Sequence, residues 1–171
     1  MMNNRGITLI ELIVVCSIIG ILVVALGFSF QGWMGKYRVE SQIKTLHVDL
    51  MNARAMAMTR NRFYFADFNL PVPPANSGTY RLIEDTNDNG TSQPGAGDTI
   101  LPTFPKTVDH VINWDGGGTM TFDKRGIVSP NGTINFTLPA DVVPDYDCLD
   151  IFSTRINIGK WNTVTGDCDA K

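Results

Sequence analysis

The chain has little of what catalysis requires. Among 171 residues there are two histidines and three cysteines. His47 falls in a helical stretch and His110 in an expected strand, neither with His or Cys at ligand spacing, so surface or interface positions are expected for both. The glycines at 116–118 are not followed by a lysine, which excludes a P-loop-type phosphate cradle there. No nucleophile stands with a base, so no enzyme and no obligatory cofactor is expected. Lys and Arg (14) are outnumbered by Asp and Glu (17), and the formal charge of −3 gives no general attraction to nucleic acid. No internal repeat occurs. Of the cysteines, Cys16 lies in an apolar run and is expected to pack, whereas Cys148 and Cys168 lie close together in a polar C-terminal region. That pair suggests a disulfide, which needs an oxidising compartment and stabilises by roughly 3 kcal/mol in the chain-entropy model.

Proline and charge are missing from the N-terminal third. No charged residue occurs from Leu12 to Phe28, the apolar character reaches back to Ile7, and no proline occurs between Ile7 and Arg60. A helix over 7–30 covers most of a ~30 Å hydrocarbon core. The run is longer than a secretory signal's apolar region, and its end offers no convincing small-x-small cleavage site before Gln31. Further on, Val39, Ile43, Leu46, Leu50, Ala53 and Ala57 recur at alternating spacings of four and three, one stripe of an amphipathic helix over 31–60. A continuous helix from Ile7 to Arg60 is a rod of about 80 Å. Gly27, Gly32 and Gly35 interrupt it at about 1 kcal/mol each relative to alanine; they mark either a place to unwind or a place for close packing in lipid. Arg5 on one side and Lys36, Arg38 and Lys44 on the other do not orient the span by charge. Glu11 is the anomaly in this run, because a carboxylate there must be neutralised, lie at the membrane boundary or meet a cation.

After Arg60 the period changes to alternation. The stretches RFYFADF, GTYRLIE, VDHVINW, GTMTFD, GTINFTL, LDIFS and RINIG read as short strands, with Asn89-Gly90 and Asn131-Gly132 suited to tight positive-φ turns. Phe65, Tyr80, Leu82, Ile112, Phe122, Ile134 and Phe136 supply an apolar surface for the helical stripe. The fold class expected is α+β, a long N-terminal helix packed on a C-terminal sheet domain over 61–171. NLPVPPANS, residues 69–77, reads as a surface loop.

The run EDTNDNGTSQPGAGDTI places Asp85, Asn87 and Asn89 at alternate positions before Gly90, the first half of a calcium loop. The acid expected six residues after that glycine is Ala96, and the next carboxylate is Asp98. Two readings stand: Ca2+ held by Asp85, Asn87, Asn89 and Asp98, or a solvated hairpin loop of turn formers.

The stretch RGITLIELIVV resembles the class III signal of type IV pilins and type II secretion pseudopilins, a basic leader, a glycine, then an apolar helix with Glu at its fifth place. The resemblance implies that residues 1–6 are a leader, that prepilin peptidase cuts between Gly6 and Ile7, and that Ile7 is N-methylated. Glu11 then lies one turn from the new amine and is expected to pair with that of a neighbouring subunit, setting the axial stagger. MNARAMAMTRN, FDKRGIVSPNGTINF and LDIFSTRINIGKW are similar to segments of the GspH/FimT-like minor pilins and pseudopilins, with STRINIG departing from the glycine-arginine turn common there. The implied protein is a structural minor subunit, held in the inner membrane with its sheet domain in the periplasm and then assembled, near the tip, into a pilus or pseudopilus. Its partners would be other pilins or pseudopilins through the helix. A DNA- or secreted-substrate-binding role of the sheet domain is the alternative, and the acidic balance weakens its DNA version.

Overall fold

The structure, a computed structural model, describes residues 8–69 and 77–170; the side chains of residues 25–32 and of residue 69 lie outside that description. A single helix, α1 (Leu9–Arg60), runs 52 residues and, at 1.5 Å each, about 78 Å. It passes Gly27, Gly32 and Gly35 without a break in its helical hydrogen bonding. Of these, Gly35 has a visible packing reason: a Cβ there would stand 3.2 Å from Val142 Cγ2. The helix stops at Asn61, whose left-handed backbone (φ 53, ψ 44) turns its N–H back to the Ala57 carbonyl. Asn tolerates that conformation better than most side chains.

The expected stripe is the buried face. Val39, Ile43, Leu46, Leu50, Ala53 and Ala57 are each 0% exposed, because spacings of four and three keep them on one side of a 3.6-residue turn. They pack on two antiparallel sheets. The first contains β1 (Tyr64–Asn69), β2 (Gly78–Glu84), β3 (Thr99–Ile100), β4 (Lys106–Val108), β6 (Met120–Phe122) and β7 (Val128–Ser129), in the order β3-β2-β1-β6-β7 with β4 also on β2. The second runs β11-β10-β9-β8-β5, from β5 (Val111–Trp114), β8 (Gly132–Thr137), β9 (Cys148–Phe152), β10 (Arg155–Asn162) and β11 (Asp167–Ala170).

Three expectations change. VDHVINW is two strands: β4 and β5 separate at Asp109-His110 and belong to different sheets. Phe65 is buried but points away from the helix. The register pairs Phe65 with Ile83 and Ala66 with Leu82, so alternation puts Tyr64, Ala66 and Phe68 into the helix-side core and Phe65 with Ile83 on the opposite face. Asn131-Gly132 makes no positive-φ turn; Gly132 already begins β8, where a Cβ would stand 2.8 Å from the Gly116 amide nitrogen. The proline-rich loop falls, at 70–76, outside the described residues.

Cys148 of β9 and Cys168 of β11 are disulfide-bonded, with Cα atoms 5.9 Å apart. The bond crosses β10 at Gly159, where a Cβ would stand 2.7 Å from Cys168 Sγ. Only a residue without a side chain lets β11 fold over that closely.

Candidate functional site

Three places carry the chemistry suggested by the sequence: the first turn of α1, the rear of α1 where it meets the sheets, and the loop between β2 and β3.

At the first turn, Thr8 has an extended backbone and its Oγ1 accepts the Glu11 N–H at 3.3 Å. Glu11 is thereby the third helical residue, the place of the acid in a capping box, and its charge is favoured by the helix dipole. The side chains from Leu9 to Val24 are all exposed, Leu9 by 76% and Ile21 by 70%. Free Cys16 is among them. Gly6 and Ile7 lie outside the described residues. Among the described residues, no helix is long and apolar enough to cross a membrane. The described apolar run, Leu9 to Val24, measures about 24 Å at 1.5 Å per residue; the expected span continues into 25–30, whose side chains are not described.

At the rear of α1, residues far apart in sequence converge. Arg54 Nη1 donates to the Thr154 carbonyl at 2.6 Å, in the two-residue turn between β9 and β10, and the Ser153 carbonyl of the same turn accepts the Val128 N–H at 2.8 Å. Opposite, a Cβ on Gly126 would meet Met58 Sδ at 2.8 Å and Arg54 Cγ at 3.3 Å, so this positive-φ glycine (φ 76) lets a hairpin seat on the helix. The Ala-Arg-x-x-Ala segment of α1, Gly126 and the STR turn are therefore one junction. His47 Nε2 reaches the Ile156 carbonyl at 3.1 Å, and His110 lies against the Phe136 ring; both are packing positions. Burial lowers the His110 pKa, partly offset by Asp109.

One functional-looking group has no local sequence signal. Asp49, buried on α1, accepts Tyr80 Oη at 2.5 Å and Lys106 Nζ at 2.6 and 2.8 Å, joining the helix to β2 and β4. Burial, and then the bond to Asp49, push the Tyr80 phenol's pKa up. With the tyrosine protonated and the lysine charged, the trio is a satisfied structural ion pair. Only the burial expected of its helical position could have drawn attention to Asp49.

In the loop after β2, Asp85 is fully buried. Its Oδ1 accepts the Asn89 N–H at 3.2 Å and its Oδ2 the Gly90 N–H at 2.8 Å. Asn87 Oδ1 accepts from Asn89 N and Asn89 Oδ1 from Thr91 N, while Gly90 holds φ at +72. Asp98 closes the loop: its Oδ2 accepts the Gln93 N–H at 2.6 Å, and its backbone bridges Pro94. Asp88 faces outward to Lys124, 2.7 Å away. The structure thus brings Asp85, Asn87, Asn89 and Asp98 into one loop.

Comparison with known families gives two matches. The family of the type II transport protein GspH matches residues 42–153, more than half of the chain, and the prokaryotic N-terminal methylation motif matches residues 1–27. No curated protein and no solved structure matches the chain.

Proposed function

The chain belongs to the family of the type II transport protein GspH and carries an N-terminal methylation motif, and on that premise we propose that it is a structural minor subunit of a pseudopilus or type IV pilus. Residues 1–6 are its leader, removed by prepilin peptidase between Gly6 and Ile7. Before assembly the apolar half of α1 holds the chain in the inner membrane with the sheet domain in the periplasm. It then enters the filament near the tip through that same helix, beside other pilins or pseudopilins. No catalytic step is assigned to it.

The observation that carries this reading is the bare apolar half of α1. The side chains Leu9 to Val24 lie exposed, an apolar surface that water does not tolerate on this scale and that lipid or neighbouring helices would cover. Covered by subunits, it supplies assembly energy without a new fold. Glu11 supplies the register: cleavage frees an amine at Ile7, and pairing it with a neighbour's Glu11 offsets the desolvation of both charges.

Mass spectrometry of the mature protein tests the reading. A chain beginning at methylated Ile7 is expected; a chain beginning beyond residue 28 would refute it. Glu11 separates its two roles by substitution. Glu11→Gln keeps a capping-box residue and removes the charge, so filament entry should fall as it does for Glu11→Ala while membrane insertion stays intact. Wild-type entry of Glu11→Gln would reduce Glu11 to a helix cap.

A further inference from the structure

We propose that the β2–β3 loop is a Ca2+ site whose ligands include Asp85, Asn87, Asn89 and Asp98. Two carboxylates of this loop are buried, Asp85 at 0% and Asp98 at 7% exposure. Among the described residues, no lysine or arginine lies within ion-pair distance of either. Arg62, the cation at the loop's base, donates to the carbonyls of Asp85 and Thr86 instead. The loop's other acid, Asp88, is the one that has a lysine, and it faces out.

The deciding atom is Asp98 Oδ1. It is sealed from solvent and accepts no hydrogen bond, although Oδ2 of the same carboxylate accepts the Gln93 N–H inside the loop. A buried carboxylate oxygen without a donor is costly, and a cation offsets that cost directly. Two contacts fix its place. Thr86 Oγ1 donates to the Gly97 carbonyl at 2.5 Å, and Asn87 Nδ2 lies so close to Gly97 that a Cβ there would collide with it. Asp98 is therefore held beside the segment that carries Asp85, Asn87 and Asn89.

The donor set selects the ion. The loop from Asp85 to Asp98 contains no histidine and no cysteine, which disfavours a transition metal. Carboxylates and amides at alternate positions before a positive-φ glycine suit a hard, flexibly coordinated ion; Ca2+ fits better than Mg2+, which demands a regular octahedron. The acid that would end a standard loop is Ala96 here, and Asp98 stands in for it two residues later. With two carboxylates in the set, affinity should lie in the ~10⁻⁴–10⁻³ M range of extracellular modules.

The test uses the full chain in detergent micelles, titrated with CaCl2 and with MgCl2 and followed by calorimetry and thermal unfolding. Saturable binding of one Ca2+ per chain is expected, with a melting temperature that rises through the same concentrations and a weaker response to Mg2+. Asp98→Asn keeps the acceptor for Gln93 and should weaken Ca2+ at least about tenfold, without lowering the melting temperature in chelator. Asp88→Asn should bind as the wild type does. No binding at about 10 mM Ca2+, an equal response to Mg2+, or undiminished affinity in Asp98→Asn would overturn the site. The assembly proposal is read at residues 6–11 and this one at 85–98, so either can fail alone.

Discussion

The two halves of α1 are both apolar, yet only one belongs to a folded domain. Between Val39 and Ala57 six apolar residues form one stripe, fully buried on two sheets, while Glu40, Lys44 and Arg54, together with the exposed Val48 and Met51, occupy the remaining surface. From Leu9 to Val24 apolar side chains occur on every face and all are exposed. Hydrophobicity alone therefore does not say what a helix packs against; its angular distribution does. A stripe matches one partner surface within the chain, whereas an all-round coat needs surroundings that are apolar in every direction.

The strongest way to break this contrast is a matched pair of truncations. Leu50→Ala, in the buried stripe, should destabilise the sheet domain by about 3 kcal/mol, through lost transfer energy and an unfilled cavity. Ile18→Ala, in the bare half, should leave it unchanged within about 0.5 kcal/mol. Denaturant unfolding of the full chain in detergent, followed by near-ultraviolet circular dichroism, measures both. A comparable loss in Ile18→Ala would mean that the front half packs on its own domain after all.

A smaller effect is expected at Asp49. Asp49→Ala leaves the Tyr80 hydroxyl and the Lys106 ammonium without their shared acceptor and should cost about 2 kcal/mol, since the lysine can still turn toward water. Asp49→Asn retains an acceptor and should cost less. If both variants match the wild type in the same unfolding experiment, the rear half is held by its apolar stripe alone.

That trio shows where sequence reading stopped. The stripe, the end of the helix at Arg60 and the change to alternation were legible because each is a local periodicity. The Cys148–Cys168 bond was legible because both residues are rare and near each other. Asp49, Tyr80 and Lys106 come from three separate elements, and Arg54 meets a carbonyl one hundred positions away; no local pattern announces such contacts. Phe65 was misplaced because alternation is ambiguous when Tyr64, Phe65 and Ala66 are all apolar. Only the register against Leu82 and Ile83 chooses the face. The break of VDHVINW at Asp109-His110 was hidden for a similar reason. What ends β4 is helix-side: the Gln42 amide donates to Asp109 Oδ2 at 2.7 Å and accepts its N–H at 3.2 Å. In the loop after β2, the spacing of oxygen side chains was legible and the orphaned Asp98 oxygen was not, since it depends on how the loop closes.

Glycines sharpen the boundary between the halves. Gly20 has nothing within 4 Å of an added Cβ, whereas at Gly35 that atom would press on Val142 Cγ2 at 3.2 Å. Alanine gains about 1 kcal/mol of helix propensity at either site. At Gly35 the gain is opposed by the displacement of Val142, so Gly35→Ala should change domain stability by less than about 0.5 kcal/mol. Gly20→Ala should raise helix content and leave the domain's unfolding midpoint alone. A destabilisation well above 1 kcal/mol at Gly35 would show that Val142 cannot move and that the two halves are separated by a rigid contact.

The weakest expected effect distinguishes the halves by pH. The described front half, residues 8–24, contains no histidine, while His110 sits against Phe136 at the point where the chain leaves one sheet for the other. Burial lowers its pKa below the ordinary 6.5, with Asp109 opposing part of the shift. Above pH 6.5 the ring is neutral in both the folded and unfolded chain and contributes no pH dependence. As the pH falls below 6.5 the unfolded chain takes up the proton first, so stability declines until the folded value is also passed. His110→Gln should remove that decline, leaving the carboxylates to govern the curve at lower pH. Unfolding midpoints measured from pH 7 to about 5 therefore should converge for wild type and variant at the upper end, up to a constant offset, and separate at the lower. Parallel curves would place the ring in water rather than against Phe136, and would remove His110 from the set of groups that the rear half's domain encloses.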